Sequence, residues 1–235
     1  MHKNQGISNL FAICSEIEYN RDMAKLPIYL EMKGRRAVVI GAGAVAVRKV
    51  QSLVQARARV TVVAEHVQNN FLAALQVPQV ELVISTYRKD YLVGATLVIA
   101  ATNDLILNRQ VFEDCQELEI LCNVVDQPEL CDFYVPAVVQ RGDLQIAIGT
   151  DGHCPAYAGH IRKKLEEVFT EEHGRFVDQL ESIRIRVLNE ISDANQRKAI
   201  LGRLVSDDSF DIFQKEGLIQ WLQFADEQIH QDIIP

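Results

Sequence analysis

From residue 36 onward, apolar residues fall first in short unbroken runs and later at helical spacing, and this change of period divides the chain. The runs at 37–40, 60–63, 80–84, 97–101 and 121–125 are rich in β-branched side chains and are separated by stretches of helical pattern. Continuous apolar strands alternating with helices predict a parallel sheet covered on both faces, a doubly wound Rossmann-type α/β domain. A sixth run at 144–148 follows Pro136 and the turn-forming Arg141-Gly142-Asp143, which puts a boundary near 136–142. Ahead of these, Leu26-Pro27-Ile28-Tyr29-Leu30 reads as a strand-like segment. Residues 1–25 have no sustained period and read as an appended tail, with Met23 as an alternative start.

After Pro155, a residue suited to the first turn of a helix, apolar positions recur at helical spacing. Phe176, Leu180, Ile183, Val187 and Ile191 form one stripe, and Leu218, Leu222, Ala225 and Ile229 form another. The expected organisation is the Rossmann-type domain over 26–136, a connecting segment over 137–170 and a helical domain over 171–235.

Charge narrows the partners. The formal net charge of −8 excludes a general nucleic-acid binder, which needs excess Lys and Arg to neutralise phosphates. From Glu171 onward there are 13 Asp/Glu against 7 Lys/Arg, so the helical part carries most of the acidity. No apolar run approaches the roughly 20 residues of a membrane helix, and Leu10-Phe11-Ala12-Ile13-Cys14 is too short for a signal sequence. The 5 cysteines lack the spacing of a disulfide framework or metal knuckle, which fits a reducing cytoplasm.

The strongest local signal is Val38-Val39-Ile40-Gly41-Ala42-Gly43-Ala44-Val45-Ala46, a buried strand entering a G-x-G-x-x-A turn and then a helix. Gly41 allows the tight turn, Gly43 lets backbone approach a pyrophosphate, and Ala46 permits close helix–strand packing. Glu65, just past the second strand, is placed to bond ribose hydroxyls, which favours NAD; Arg57 and Arg59 keep NADP open. Thr102 and Asn103 end the fourth strand and are expected to line the nicotinamide side. Asp126 ends the fifth, where a carboxylate is either a strand-end cap or a base.

Taken in order, Leu26-Pro27-Ile28, the glycine turn with Arg48-Lys49, Ala100-Ala101-Thr102-Asn103-Asp104, Asn123-Val124-Val125-Asp126 with Pro128, and Asp132-Phe133 with Pro136-Ala137 resemble the precorrin-2 dehydrogenase/sirohydrochlorin ferrochelatase family. The resemblance covers roughly 26–170. It implies a Rossmann domain, a dimerisation segment and a helical domain, a homodimer, and NAD-dependent oxidation of precorrin-2 to sirohydrochlorin. Methylation of the precursor would then fall to another protein. By matching position, Asp126 takes the central role in dehydrogenation, and Ala44, Val45, Glu65 and His66 fall at NAD-contacting positions.

The implied macrocycle is rich in carboxylates, which an acidic protein meets through local positive charge, here Arg141, Arg162, Lys163 and Lys164; a solvated helix face explains the last three equally well. The segment Gly149-Thr150-Asp151-Gly152-His153-Cys154-Pro155 resembles the family's substrate loop, with Thr150 and Gly152 retained and Asp151, His153 and Cys154 departing from it. His153, Cys154 and His160 are irregularly spaced, so no resident metal is expected. Gln55-Ala56-Arg57 ends the first helix where the family commonly has glycine. Two alternatives stay open: a bifunctional enzyme that also inserts iron, and a non-catalytic NAD-sensing module with a partner-binding helical tail.

Overall fold

The computed structural model describes residues 25–231; the expected extension before Lys25 lies outside the described residues. The chain divides into two compact units between Phe133 and Tyr134.

In the first unit, β1 (Arg36–Ile40), β2 (Arg59–Ala64), β3 (Val80–Ile84), β4 (Leu97–Ala100) and β5 (Leu121–Val124) form one parallel sheet in the order β3-β2-β1-β4-β5. Helices α1 (Ala44–Gln55), α2 (Asn69–Leu75) and α3 (Leu105–Glu117) connect the strands. Alternate residues of β1 enter opposite cores, Ala37 and Val39 beneath α1 and α2, Val38 and Ile40 beneath α3. That is why β1 is apolar without alternation: both faces are covered. Each fully buried Val or Ile there contributes roughly 1.5–3 kcal/mol.

Two helices of this unit end on left-handed residues that are not glycine. Arg57 has φ 57°, and Ala58 N–H donates to the Leu53 carbonyl at 3.0 Å while Arg57 N–H donates to Val54 at 2.9 Å. This pair of bonds is a Schellman cap. Glu119 closes α3 in the same way at φ 55°. The departure at Gln55-Ala56-Arg57 therefore leaves the cap intact and strains one residue. Arg57→Gly is expected to stabilise the protein by about 1 kcal/mol, read as a higher denaturation midpoint at unchanged m-value.

The strand-like expectation for Leu26-Pro27-Ile28-Tyr29-Leu30 is corrected: the segment has no regular secondary structure and exposes Leu26, Ile28 and Tyr29. Pro27 has no N–H to donate to a ladder, so apolar content alone does not make this segment a strand.

In the second unit, β6 (Ala137–Arg141) and β7 (Leu144–Ile148) form an antiparallel hairpin, followed by α4 (Pro155–Val168), α5 (Glu171–Glu190), α6 (Ala194–Leu204), α7 (Asp207–Lys215) and α8 (Leu218–Gln231). The sequence pattern had shown only β7, because β6 directly follows the boundary-like Pro136. Both expected stripes face the helical core: Phe176, Ile183 and Val187 on α5, with Ile191 just beyond it, and Ala225 and Ile229 on α8. Leu218 is 43% exposed, and Trp221, fully buried, fills the core in its place. Trp221 donates its indole N–H to Ser209 Oγ at 2.9 Å, so the buried polar atom is satisfied.

Candidate active site

The carboxyl ends of the strands are where ligands of open α/β sheets bind, at the point where strand order reverses. Here that point lies between β1 and β4. The ladder runs past the strand ends: Gly41 N–H donates to the Val63 carbonyl at 2.8 Å, Ala101 N–H to Ile40 at 2.8 Å, and Val125 N–H to Ala100 at 2.9 Å. These bonds set the glycine turn, Ala101-Thr102 and Val125-Asp126 side by side along one edge, with Glu65 and His66 exposed just after β2 on the same edge.

Gly41 has φ +109°, and a Cβ there would sit 2.5 Å from the Ala101 carbonyl oxygen. Gly43 differs, because a Cβ on it would meet nothing within 4 Å. No side chain caps α1, and its first turn holds no acidic residue, so the positive end of the helix dipole is left open beside Gly43, Ala44 and Val45. The next helix along the edge is treated oppositely: Asp104 caps α3 by accepting from Ile106 N–H at 2.9 Å and Leu107 N–H at 3.1 Å. Asp104 thus takes two of the first backbone donors of α3, whereas no side chain takes those of α1. Open space over Gly43 together with the uncapped helix fits a pyrophosphate.

Thr102 is tied inward rather than outward. Its hydroxyl donates to Asn108 Oδ1 at 2.7 Å and accepts from Asp104 N–H at 3.1 Å, while Asn108 Nδ2 donates to the Thr102 carbonyl at 3.1 Å. Thr102 thus shapes the loop, and Asn103 is the exposed member of the pair. Asn108, only 1% exposed, is a supporting residue that the sequence motifs did not single out; a polar side chain one turn into an otherwise apolar helix face was its signal.

Asp126 occupies φ 62° in the turn after β5, and Gln127 N–H closes that turn on the Val124 carbonyl at 3.3 Å. Aspartate tolerates the left-handed region better than most side chains, and strained backbone at a ligand edge is a mark of functional sites. Asp126 is exposed, so its carboxylate is accessible.

Lys49 on α1 is a second group with unusual surroundings. Half burial pushes its amine below the ordinary value, Arg48 pushes it the same way, and Cys131 and Asp126 oppose both by favouring the charged form. The folded chain therefore holds this proton less tightly than the unfolded chain, whose lysine titrates at its ordinary 10.5. The charged amine weakens the fold at neutral pH, and the penalty fades as pH rises through the lowered value toward 10.5. Lys49→Met is expected to melt about 1–3 °C above wild type at pH 7, with the gap narrowing at alkaline pH. Scanning calorimetry across pH checks this, and a gap that widens with pH defeats it.

The residues expected to meet substrate lie in the second unit. Thr150 accepts from Cys154 N–H through its hydroxyl at 3.2 Å, and its carbonyl accepts from His153 N–H at 2.9 Å. Asp151 and Gly152 are both left-handed, at φ 54° and 82°. Arg141 has its donors committed internally, to the carbonyls of Phe169 at 2.7 Å, Glu166 at 3.1 Å and Gln140 at 2.9 Å. It caps the C-terminal end of α4, where the helix dipole favours a cation. Arg162 is paired with Glu166 one turn on, whereas Lys163 and Lys164 are exposed. Among the described residues, no three His, Cys, Asp or Glu side chains converge as a metal site, and His153 is an exposed side chain 3.8 Å from Asp151. No helix among them is long and apolar enough to cross a membrane.

Fold and edge together define a dinucleotide-binding protein of the Rossmann class, and residues 28–137 match a protein family described as "Putative NAD(P)-binding". The siroheme synthase of Thioalkalivibrio sulfidiphilus is 36% identical over 187 residues, covering 80% of this chain and 38% of that protein. The siroheme synthase of Photorhabdus laumondii is 34% identical over 211 residues, covering 90% of this chain and 44% of that protein. A solved structure named "SirC, precorrin-2 dehydrogenase" superposes with a TM-score of 0.69 at 23% identity, covering 88% of this chain and all of that one, and so shares the fold. The chain is thus similar to siroheme synthases over most of its own length, and it spans about two-fifths of the length of the curated relatives it matches.

Proposed function

We propose that this chain is an NAD-dependent precorrin-2 dehydrogenase, oxidising precorrin-2 to sirohydrochlorin on the way to siroheme. The observation that carries the reading is the placement of Asp126: an accessible carboxylate, held in a left-handed turn on the edge that also carries the open glycine turn. The names of the sequence relatives and of the solved neighbour support the same chemistry. NAD would rest with its pyrophosphate over Gly41, Gly43, Ala44 and Val45 and its adenine ribose toward Glu65 and His66, with Asn103 facing the nicotinamide half. The hydride acceptor is supplied by NAD when bound. Oxidation also requires a proton to leave the macrocycle, and Asp126, at the end of β5 beside Ala101-Thr102, is the group we assign to accept it.

On the second unit, the Thr150–Gly152 loop and the cations Arg162, Lys163 and Lys164 are the groups we assign to the carboxylate-bearing rim of the substrate. Arg141 supports them by holding the end of α4. The exposed apolar Val135 and Val138 at the hairpin support a homodimer through this region, which sedimentation would detect. The free thiols at Cys115, Cys122, Cys131 and Cys154 suit the cytoplasm.

The test is anaerobic absorbance spectroscopy of the purified chain with enzymatically generated precorrin-2 and NAD. Appearance of the sirohydrochlorin spectrum with stoichiometric NADH supports the assignment. NAD binding without turnover overturns it and favours the non-catalytic sensing module.

A further inference from the structure

The turn that presents Asp126 is held by two side chains to which the reaction as described gives no part. Asn123 lies within β5 at 8% exposure, an uncommon residue for a buried strand position because its amide competes with backbone hydrogen bonding. Its Nδ2 donates to the Phe133 carbonyl at 2.9 Å and to Cys131 Sγ at 3.4 Å, and the backbones of Asn123 and Cys131 form an isolated antiparallel bridge.

Cys131 Sγ then lies 3.2 Å from the Val124 carbonyl and 3.2 Å from the Gln127 carbonyl. Those carbonyls belong to the first and last residues of the turn Val124-Val125-Asp126-Gln127, so one thiol proton is shared between the two ends of the segment that holds Asp126. Burial pushes the thiol up from its ordinary value, which keeps it protonated and a donor at neutral pH. A residue at φ 62° stays there only when its surroundings over-determine it, and the backbone bond closing this turn is long.

We propose that Asn123 and Cys131 are positioning residues acting in series: the Asn123 amide fixes the thiol, and the thiol fixes the turn that aims the Asp126 carboxylate. The proposal deepens the dehydrogenase assignment and rests on Asp126 as the proton acceptor. Displacing a reacting group by about 1 Å can lower a rate on the order of 100-fold. Cys131→Ala is therefore expected to lower kcat by about 10- to 100-fold while KM for NAD moves less than about twofold, since the glycine turn is untouched. Cys131→Ser, whose hydroxyl donates to the same carbonyls, is expected to recover kcat to within about threefold of wild type. The double variant Asn123→Ala/Cys131→Ala should be no slower than the slower single variant, as befits two groups in series.

A serine variant as slow as the alanine variant, an alanine variant as fast as wild type, or additive losses in the double variant would each overturn the proposal. Amide hydrogen exchange by mass spectrometry reads the turn without turnover. Peptides spanning Val125 to Gln127 should exchange at least about tenfold faster in Cys131→Ala and return toward wild type in Cys131→Ser. If the wild-type chain binds NAD but does not oxidise precorrin-2, the assigned function fails, and unchanged exchange in Cys131→Ala would separately defeat the positioning role.

Discussion

Replacing Asp126 by Asn is expected to leave the protein folded and NAD-competent while lowering precorrin-2 oxidation by about 10²- to 10⁴-fold, the usual worth of a positioned base. Asparagine has nearly the same shape and tolerates the left-handed region, so the turn at φ 62° should persist and the melting temperature should match wild type. What is lost is basicity, because an amide oxygen does not accept a proton at neutral pH. Asp126→Ala should lose the same rate and in addition destabilise the turn by about 1 kcal/mol, since alanine at positive φ is strained. The comparison separates chemistry from conformation. NAD affinity, measured by titration calorimetry, should be equal in all three proteins. An Asn variant within tenfold of wild type would remove Asp126 from the proton transfer.

The second large effect is structural. Gly41→Ala would place a methyl 2.5 Å from the Ala101 carbonyl oxygen and 2.9 Å from its carbon, at a backbone φ of +109° that side chains rarely adopt. Both obstacles are backbone atoms of Ala101, held just past the end of β4 by its bond to Ile40, so neither can swing aside. Strain and overpacking together predict a loss of about 3–5 kcal/mol. A thermal melt should show a fall of roughly ten degrees or more, or failure to accumulate folded protein. Gly43→Ala is the control that gives this its meaning. With open space around Gly43 and its φ at −83°, the added methyl should leave the melt within about 1 °C. It should weaken NAD binding instead, because it projects into the space assigned to the pyrophosphate. Equal melting of the two variants would contradict the separation of roles.

The fold was legible because its signals are local and repeat. Each apolar run in the first unit needs only two covered faces to become a strand of a parallel sheet, and a glycine turn between strand and helix marks where the sheet begins. The misreadings have physical causes too. Leu26-Pro27-Ile28-Tyr29-Leu30 looks like a strand because its apolar content is visible in sequence, whereas Pro27 withholds an N–H that a ladder needs. β6 was hidden by Pro136, since a turn signal and the start of a hairpin strand look alike.

The site was legible in part. The glycine turn, Glu65, Thr102 and Asp126 are chain-local markers, and the sheet brings them to one edge. Which way each side chain is committed was not visible. Thr102 turns inward only because Asn108 waits six residues on, and Arg141 serves α4 because the chain returns to it at Glu166 and Phe169. Nor does any motif announce that Cys131 spans the turn at Asp126.

The sequence by itself determined the period of each segment, the strand–turn–helix at Gly41 and the presence of a carboxylate at the end of β5, because these depend on neighbours within a few residues. Only the tertiary structure decided which donors are committed to the fold, which helix end stays open, and how the backbone at Asp126 is held. Those follow from groups 6 to 28 residues apart in the chain meeting at distances near 3 Å, and nothing in the order of residues encodes such meetings one at a time.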